Sequence, residues 1–239
     1  VSANTALSGT GTVTASGGIL DLMGSVASGL TLTIATGSAS TLKFDGTATS
    51  ASAITLNNGN QTLEIGAAAS LTINAAQTAT AGTIKMDGGT LTDASGLTIT
   101  SPAVLTGSGT VAANIATSTG TITASGGTLE VTGSVAGASL IQIGSGVGDR
   151  LKLDGVSSAT TISFLGSTGT LEVNTAGALT ITNALAVGAN TVTLDGVGSI
   201  LTDAADLTLA GGSITGLGTL AANTDVTGFG TISVPLSSA

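Results

Sequence analysis

The 239-residue chain has no cysteine, histidine, tryptophan or tyrosine. Without cysteine it can form no disulfide and has no thiol nucleophile. Without histidine it lacks the usual general base and the commonest zinc ligand, so a Ser/His/Asp triad cannot be built. Aromatic side chains are reduced to Phe44, Phe164 and Phe229. Any core must therefore be thin and filled by Leu, Ile, Val and Ala.

Charge is also scarce. Charged residues make up 7 % of the chain, against roughly 25 % in soluble domains. The net charge is −9. The four bases, Lys43, Lys85, Arg150 and Lys152, read as scattered along the sequence. They make no basic patch for nucleic acid or for an anionic membrane. No apolar run approaches the roughly 18 residues of a spanning helix. The positive hydropathy and the recurrent β-branched runs argue against disorder. The chain begins at Val1 with no basic leader segment, which reads as a mature or excised piece of a longer protein.

What is abundant is glycine, at 37 residues, and repetition. Leu42-Lys43-Phe44-Asp45-Gly46 returns as Leu151-Lys152-Leu153-Asp154-Gly155, and Ala15-Ser16-Gly17-Gly18 as Ala124-Ser125-Gly126-Gly127. Thr62-Leu63-Glu64-Ile65 returns as Thr170-Leu171-Glu172-Val173, and Leu91-Thr92-Asp93-Ala94 as Leu201-Thr202-Asp203-Ala204. These matches share nearly one offset, close to 109 positions (152 − 43), and drift by one residue where a turn absorbs an insertion. The spacing predicts one continuous structure over 1–239, made of two long repeats, 7–115 and 116–224, and the start of a third, 225–239.

Within each repeat, apolar–polar–apolar triplets recur, among them Leu32-Thr33-Ile34, Leu63-Glu64-Ile65 and Leu97-Thr98-Ile99. Strict alternation marks a strand with one buried and one wet face. About eight to twelve residues separate the triplets, with Gly, Asn, Asp or Ser between. Asn58-Gly59, Asp87-Gly88-Gly89 and Asp195-Gly196 supply tight turns. The expected fold is all-β, a right-handed β-solenoid (β-helix) of roughly ten coils. Tandem β-sandwich domains are the alternative, disfavoured because a sandwich core wants bulkier residues.

The phrases Gly11-Thr12-Val13-Thr14-Ala15-Ser16-Gly17-Gly18-Ile19-Leu20-Asp21-Leu22, Leu42-Lys43-Phe44-Asp45-Gly46 and Leu129-Glu130-Val131-Thr132-Gly133 resemble those of giant repetitive exoproteins of Gram-negative bacteria. Autotransporter passenger repeats and filamentous-haemagglutinin-like adhesins are the families they are similar to. That resemblance implies export, a β-helical rod and a surface role, and it carries no catalytic residue.

Chemistry-bearing groups are few. Lys43 and Lys152 each precede an aspartate by two positions, Asp45 and Asp154. Such residues share a strand face and read as outward ion pairs. Paired carboxylates for glycosidase work must lie about 5–10 Å apart. The acids here recur with the repeat, which points to structure rather than to a unique active site. Asp-Gly turns offer oxygens to a calcium ion, with Asp87, Asp93, Asp195 and Asp203 as weak candidates. The nonapeptide of calcium-binding β-rolls is absent, so plain turn chemistry is the default. Gly144-Ser145-Gly146-Val147-Gly148-Asp149 precedes no helix and reads as a turn, not a phosphate loop. Asn60-Gln61-Thr62 is a lone glycosylation sequon. Thr-x-Thr pairs such as Thr12/Thr14, Thr31/Thr33 and Thr191/Thr193 would suit ice binding only if they stacked coil on coil.

The expectation is a non-enzymatic structural or adhesive segment of a secreted bacterial cell-surface fibre, with no resident cofactor unless calcium. Its partners would be further repeats or copies joined end to end, without nucleic acid or membrane insertion. A ligand-binding solenoid, for ice or carbohydrate, is the alternative.

Overall fold

The structure is a computed structural model that describes residues 1–116, 119–222 and 225–238. Every regular element among them is a β-strand. The chain divides into two compact units, Val1–Thr121 and Ile122–Ala239, close to the boundary between the long sequence repeats. Both are built as a right-handed β-helix, with about 11 turns between them. Among the described residues the strand pairings are parallel, unlike the antiparallel pairing of a tandem sandwich.

In the first unit one coil is written by three short strands, Gln61–Ile65, Ser70–Ile73 and Gln77–Ala79. The next coil is a single 17-residue strand, Thr83–Ile99, whose three parts lie on those three strands in turn. Alternation puts every second side chain inside. The register then stacks like on like: Leu20, Leu42, Leu63, Ile84 and Leu105 form one interior ladder. Beside it run Leu22, Phe44, Ile65 and Met86, each at most 1 % exposed. Burying each such side chain contributes roughly 1.5–3 kcal/mol. The second ladder closes at Gly107, where a Cβ would overlap the Met86 carbonyl oxygen beneath it.

The second unit repeats the scheme. Leu129, Leu151, Leu171, Val192 and Ile214 make one interior ladder. Val131, Leu153, Val173 and Leu194 make its neighbour, and Gly216 ends it above Leu194. Leu179, Leu201 and Leu220 line another strand column of the same coils.

Candidate functional site

The interior ladders fix where the charges go. In Leu42-Lys43-Phe44 both flanking side chains point inward, so Lys43 points out. The register carries that parity from coil to coil. Asp21, Lys43, Glu64, Lys85 and Thr106 form one outward column in the first unit, in steps of 21 or 22 residues. Successive coils lie about 4.8 Å apart, so acids and bases alternate within ion-pair reach. Lys85 Nζ donates to Glu64 Oε1 at 3.2 Å, and Lys43 Nζ to Asp45 Oδ2 at 2.6 Å. In the second unit the column is Glu130, Lys152, Glu172, Thr193 and Thr215. Lys152 Nζ donates to Glu130 Oε1 at 2.6 Å, and Arg150 Nη1 donates to Glu172 Oε2 at 2.7 Å. The four bases that read as scattered thus gather on one strand column of each unit, each beside an acid.

These partners set the protonation states. The Asp45 carboxylate raises Lys43 above the ordinary lysine range, chiefly by accepting its hydrogen bond. Glu130 does the same for Lys152. A lysine held protonated is neither a nucleophile nor a general base. Asp21, at the foot of its column, has its pKa raised, first by desolvation and then by the neighbouring Asp45 carboxylate. Its Oδ1 is buried without a hydrogen-bond partner.

A second set of polar groups turns inward at the coil corners. Ser40, Gln61, Asp149 and Asn190 each stand two residues before an inward Leu or Val, so they too face the interior, and each is at most 3 % exposed. Gln61 Oε1 accepts the Asn57 and Asn58 N–H groups at 2.8 and 3.0 Å, and its Nε2 donates to the Ile34 carbonyl. Asn190 Oδ1 accepts the Gly169 N–H at 2.9 Å. Ser40 Oγ accepts the Gly17 N–H at 3.0 Å. In the next repeat Asp149 occupies the Ser40 position, and its carboxylate accepts the Gly126, Gly127 and Gly146 N–H groups at 2.7, 3.2 and 2.8 Å. Asp149 thus closes its own turn through the Gly146 N–H and ties that turn to the preceding coil through Gly126 and Gly127.

The calcium candidates separate into two kinds. Asp93 and Asp203 are fully buried. Asp93 accepts the Gln77, Ser95 and Gly96 N–H groups at 2.8, 2.9 and 3.1 Å, and Asp203 accepts those of Leu185 and Ala205 at 3.3 and 3.2 Å. A carboxylate ringed by N–H donors is already satisfied as an anion and offers little to a cation. Desolvation raises the Asp203 pKa against those two hydrogen bonds. Asp87 is exposed within the strand Thr83–Ile99, at a register shift rather than on the expected turn, and Asp195 is exposed just after the strand that ends at Leu194. Among the described residues no three acids gather into a metal-sized cluster.

The threonine pairs stack only briefly. Thr12 and Thr14 lie in register with Thr31 and Thr33, and the Thr14 and Thr33 hydroxyls are 2.7 Å apart. Those two strands form a sheet of their own, so the array is two coils deep. Asn60 of the sequon is exposed and donates to the Thr36 carbonyl at 3.0 Å.

No protein-family model, curated protein or solved structure matches the chain. The functional reading therefore rests on the residues themselves.

Proposed function

We propose that this chain is a structural or adhesive segment of a secreted bacterial surface fibre, acting as a shaft rather than as an enzyme. The observation that carries the reading is where the reactive side chains are spent. Lys43, Lys85, Arg150 and Lys152 are tied to acids, and Gln61, Gln77, Asp93, Asp149, Asn190 and Asp203 are tied to backbone. Apart from Lys43, whose partner Asp45 lies in its own coil, each of these side chains ties one coil to the next, as a load-carrying element requires. The sequence phrases similar to repetitive exoproteins favour a cell-surface location. Open coil edges in a solenoid favour stacking on further repeats or on another copy, since an exposed strand edge recruits a strand.

Electron microscopy of the purified protein over rising concentration tests this. The expected result is filaments that lengthen with concentration by end-to-end growth. Particles of one fixed size at every concentration, with turnover of a polysaccharide substrate, would overturn it.

A further inference from the structure

The turn at 57–60 carries the chain's one Asn-Gly pair, Asn58-Gly59. Most of its backbone is clamped. Gln61 Oε1 accepts the Asn57 and Asn58 N–H groups, and the Gln61 N–H donates to the Asn58 carbonyl at 3.1 Å. The preceding coil holds the turn through Ser40, whose N–H donates to the Asn60 carbonyl at 2.8 Å. From the following coil Gly82 approaches so closely that a Cβ there would overlap the Asn58 carbonyl oxygen. Gly59 is the exception. Among the described residues nothing accepts its N–H, and nothing lies within 4 Å of where its Cβ would stand. Asn58 Oδ1 meanwhile accepts the Asn60 N–H at 2.9 Å.

These are the parts of a ring closure. A backbone nitrogen with no hydrogen bond to spend follows directly on an amide side chain. Glycine puts no side chain in the way of the attack. The Asn60 N–H lies on the amide oxygen, where negative charge would develop as the carbon is attacked. The clamped turn keeps both groups in one local geometry. The second repeat supplies the contrast. Thr62-Leu63-Glu64-Ile65 matches Thr170-Leu171-Glu172-Val173, yet the turn before the latter reads Gly166-Ser167-Thr168-Gly169, with no asparagine. The coil corner therefore does not require an Asn-Gly pair in order to fold.

We propose that Asn58 is a self-modification site, deamidated by its own neighbour. The Gly59 nitrogen gives its proton to a solvent base and bonds to Asn58 Cγ. The bond from Cγ to Nδ2 breaks, and the side-chain nitrogen leaves as ammonia. Water then opens the resulting succinimide at either carbonyl, leaving an aspartate or an isoaspartate. One water is consumed and one ammonia released, with no change of oxidation state. The two products differ in what they do to the corner. Aspartate adds a charge and keeps the backbone. Isoaspartate routes the chain through Cβ and Cγ, which lengthens the backbone by a carbon. It also turns the carbonyl held by the Gln61 N–H into a free carboxylate, so the corner loosens. This modification stands independently of the shaft reading above.

Peptide mapping by mass spectrometry, on the folded chain aged in neutral and mildly alkaline buffers, tests it. The expected result is conversion at Asn58 more than about tenfold faster than at any other asparagine, and faster as pH rises. Gly59→Ala places its methyl in open space, and circular dichroism checks that it folds. It should slow the conversion by more than about tenfold, because the methyl crowds the attacking nitrogen. The isoaspartyl product, separated by chromatography, should melt below Asn58→Asp. Conversion in urea but not in the folded chain would mean that the turn protects Asn58, and would overturn the proposal. Conversion spread evenly over the asparagines, or undiminished in Gly59→Ala, would overturn it too. An isoaspartyl product that melts with Asn58→Asp would overturn the loosening of the corner.

Discussion

Lys152 Nζ lies 2.6 Å from Glu130 Oε1, one coil away, and 3.9 Å from Asp154 Oδ1 in its own coil. The vertical partner is therefore the closer one. The ion pair reports on stacking, because it exists only if strands Thr121–Val131 and Arg150–Leu153 hold their register. Lys152→Gln should cost about 0.5–1 kcal/mol, as for a half-exposed pair. Lys152→Glu would stack three acids, Glu130, position 152 and Glu172, and should cost roughly 1–2 kcal/mol. Urea denaturation checks both, and equal losses would mean that the column is not electrostatically coupled.

Backbone approach should matter more than charge. Gly216 has φ +124°, and a Cβ there would overlap the Leu194 carbonyl oxygen. Gly216→Ala must shift one coil against the next and should cost about 2–4 kcal/mol. Gly126 has φ +73° with open space around the same virtual atom. Gly126→Ala meets only the left-handed backbone penalty, about 1 kcal/mol. The difference between the two variants, read from denaturant midpoints, isolates the coil-to-coil contact.

The corner groups make a third test. Gln77 is fully buried; its Oε1 accepts the Ile54 N–H at 2.8 Å, and its Nε2 donates to the Ile54 carbonyl at 2.7 Å. Gln77→Leu would orphan both backbone groups and should cost about 2–4 kcal/mol despite the similar volume. Because Asp93 and Asp203 are occupied by N–H donors, adding calcium or a chelator should leave the melting temperature of the native protein unchanged. A rise on adding calcium would return Asp87 or Asp195, with new partners, to consideration as ligands.

Acid response follows from the raised carboxyls. Asp21 binds its proton more tightly in the folded state than an ordinary solvated aspartate does. The folded state then holds more protons than the unfolded one, so this group's contribution to stability falls as pH rises through its folded pKa. It is most favourable below about pH 3.8. Asp21→Asn should therefore stabilise the protein near pH 7 relative to about pH 4, when each melt is compared with the native chain at the same pH. A native-minus-variant difference that stays constant across that range contradicts the assignment.

Much of this was legible in the sequence. The triplets placed the strands, and the long repeat predicted a duplicated architecture. The parity of Leu91-Thr92-Asp93 already points Asp93 inward once Leu91 is taken as core, although an aspartate by its identity alone equally suits a calcium ligand. Gln61, Asp149 and Asn190 carry the same signal, a polar residue at inward parity beside a turn. The charge columns were less accessible. Asp21, Lys43, Glu64 and Lys85 recur every 21 or 22 residues, but that spacing becomes contact only when the coil length is known. The turns vary by a residue or two and blur the period.

The paired side chains of the outward columns hold the register between adjacent coils, and a disulfide substituted for one rung is the sharpest probe of that register. In a chain without cysteine, Glu64→Cys/Lys85→Cys replaces an ion pair between register partners about 4.8 Å apart, within disulfide range. Glu64→Cys/Thr106→Cys spans two coils and lies outside it. Mild oxidation should close the 64–85 bridge in the folded protein, raise its melting temperature and leave the 64–106 pair reduced. Ready closure of 64–106, or failure of 64–85, would contradict it.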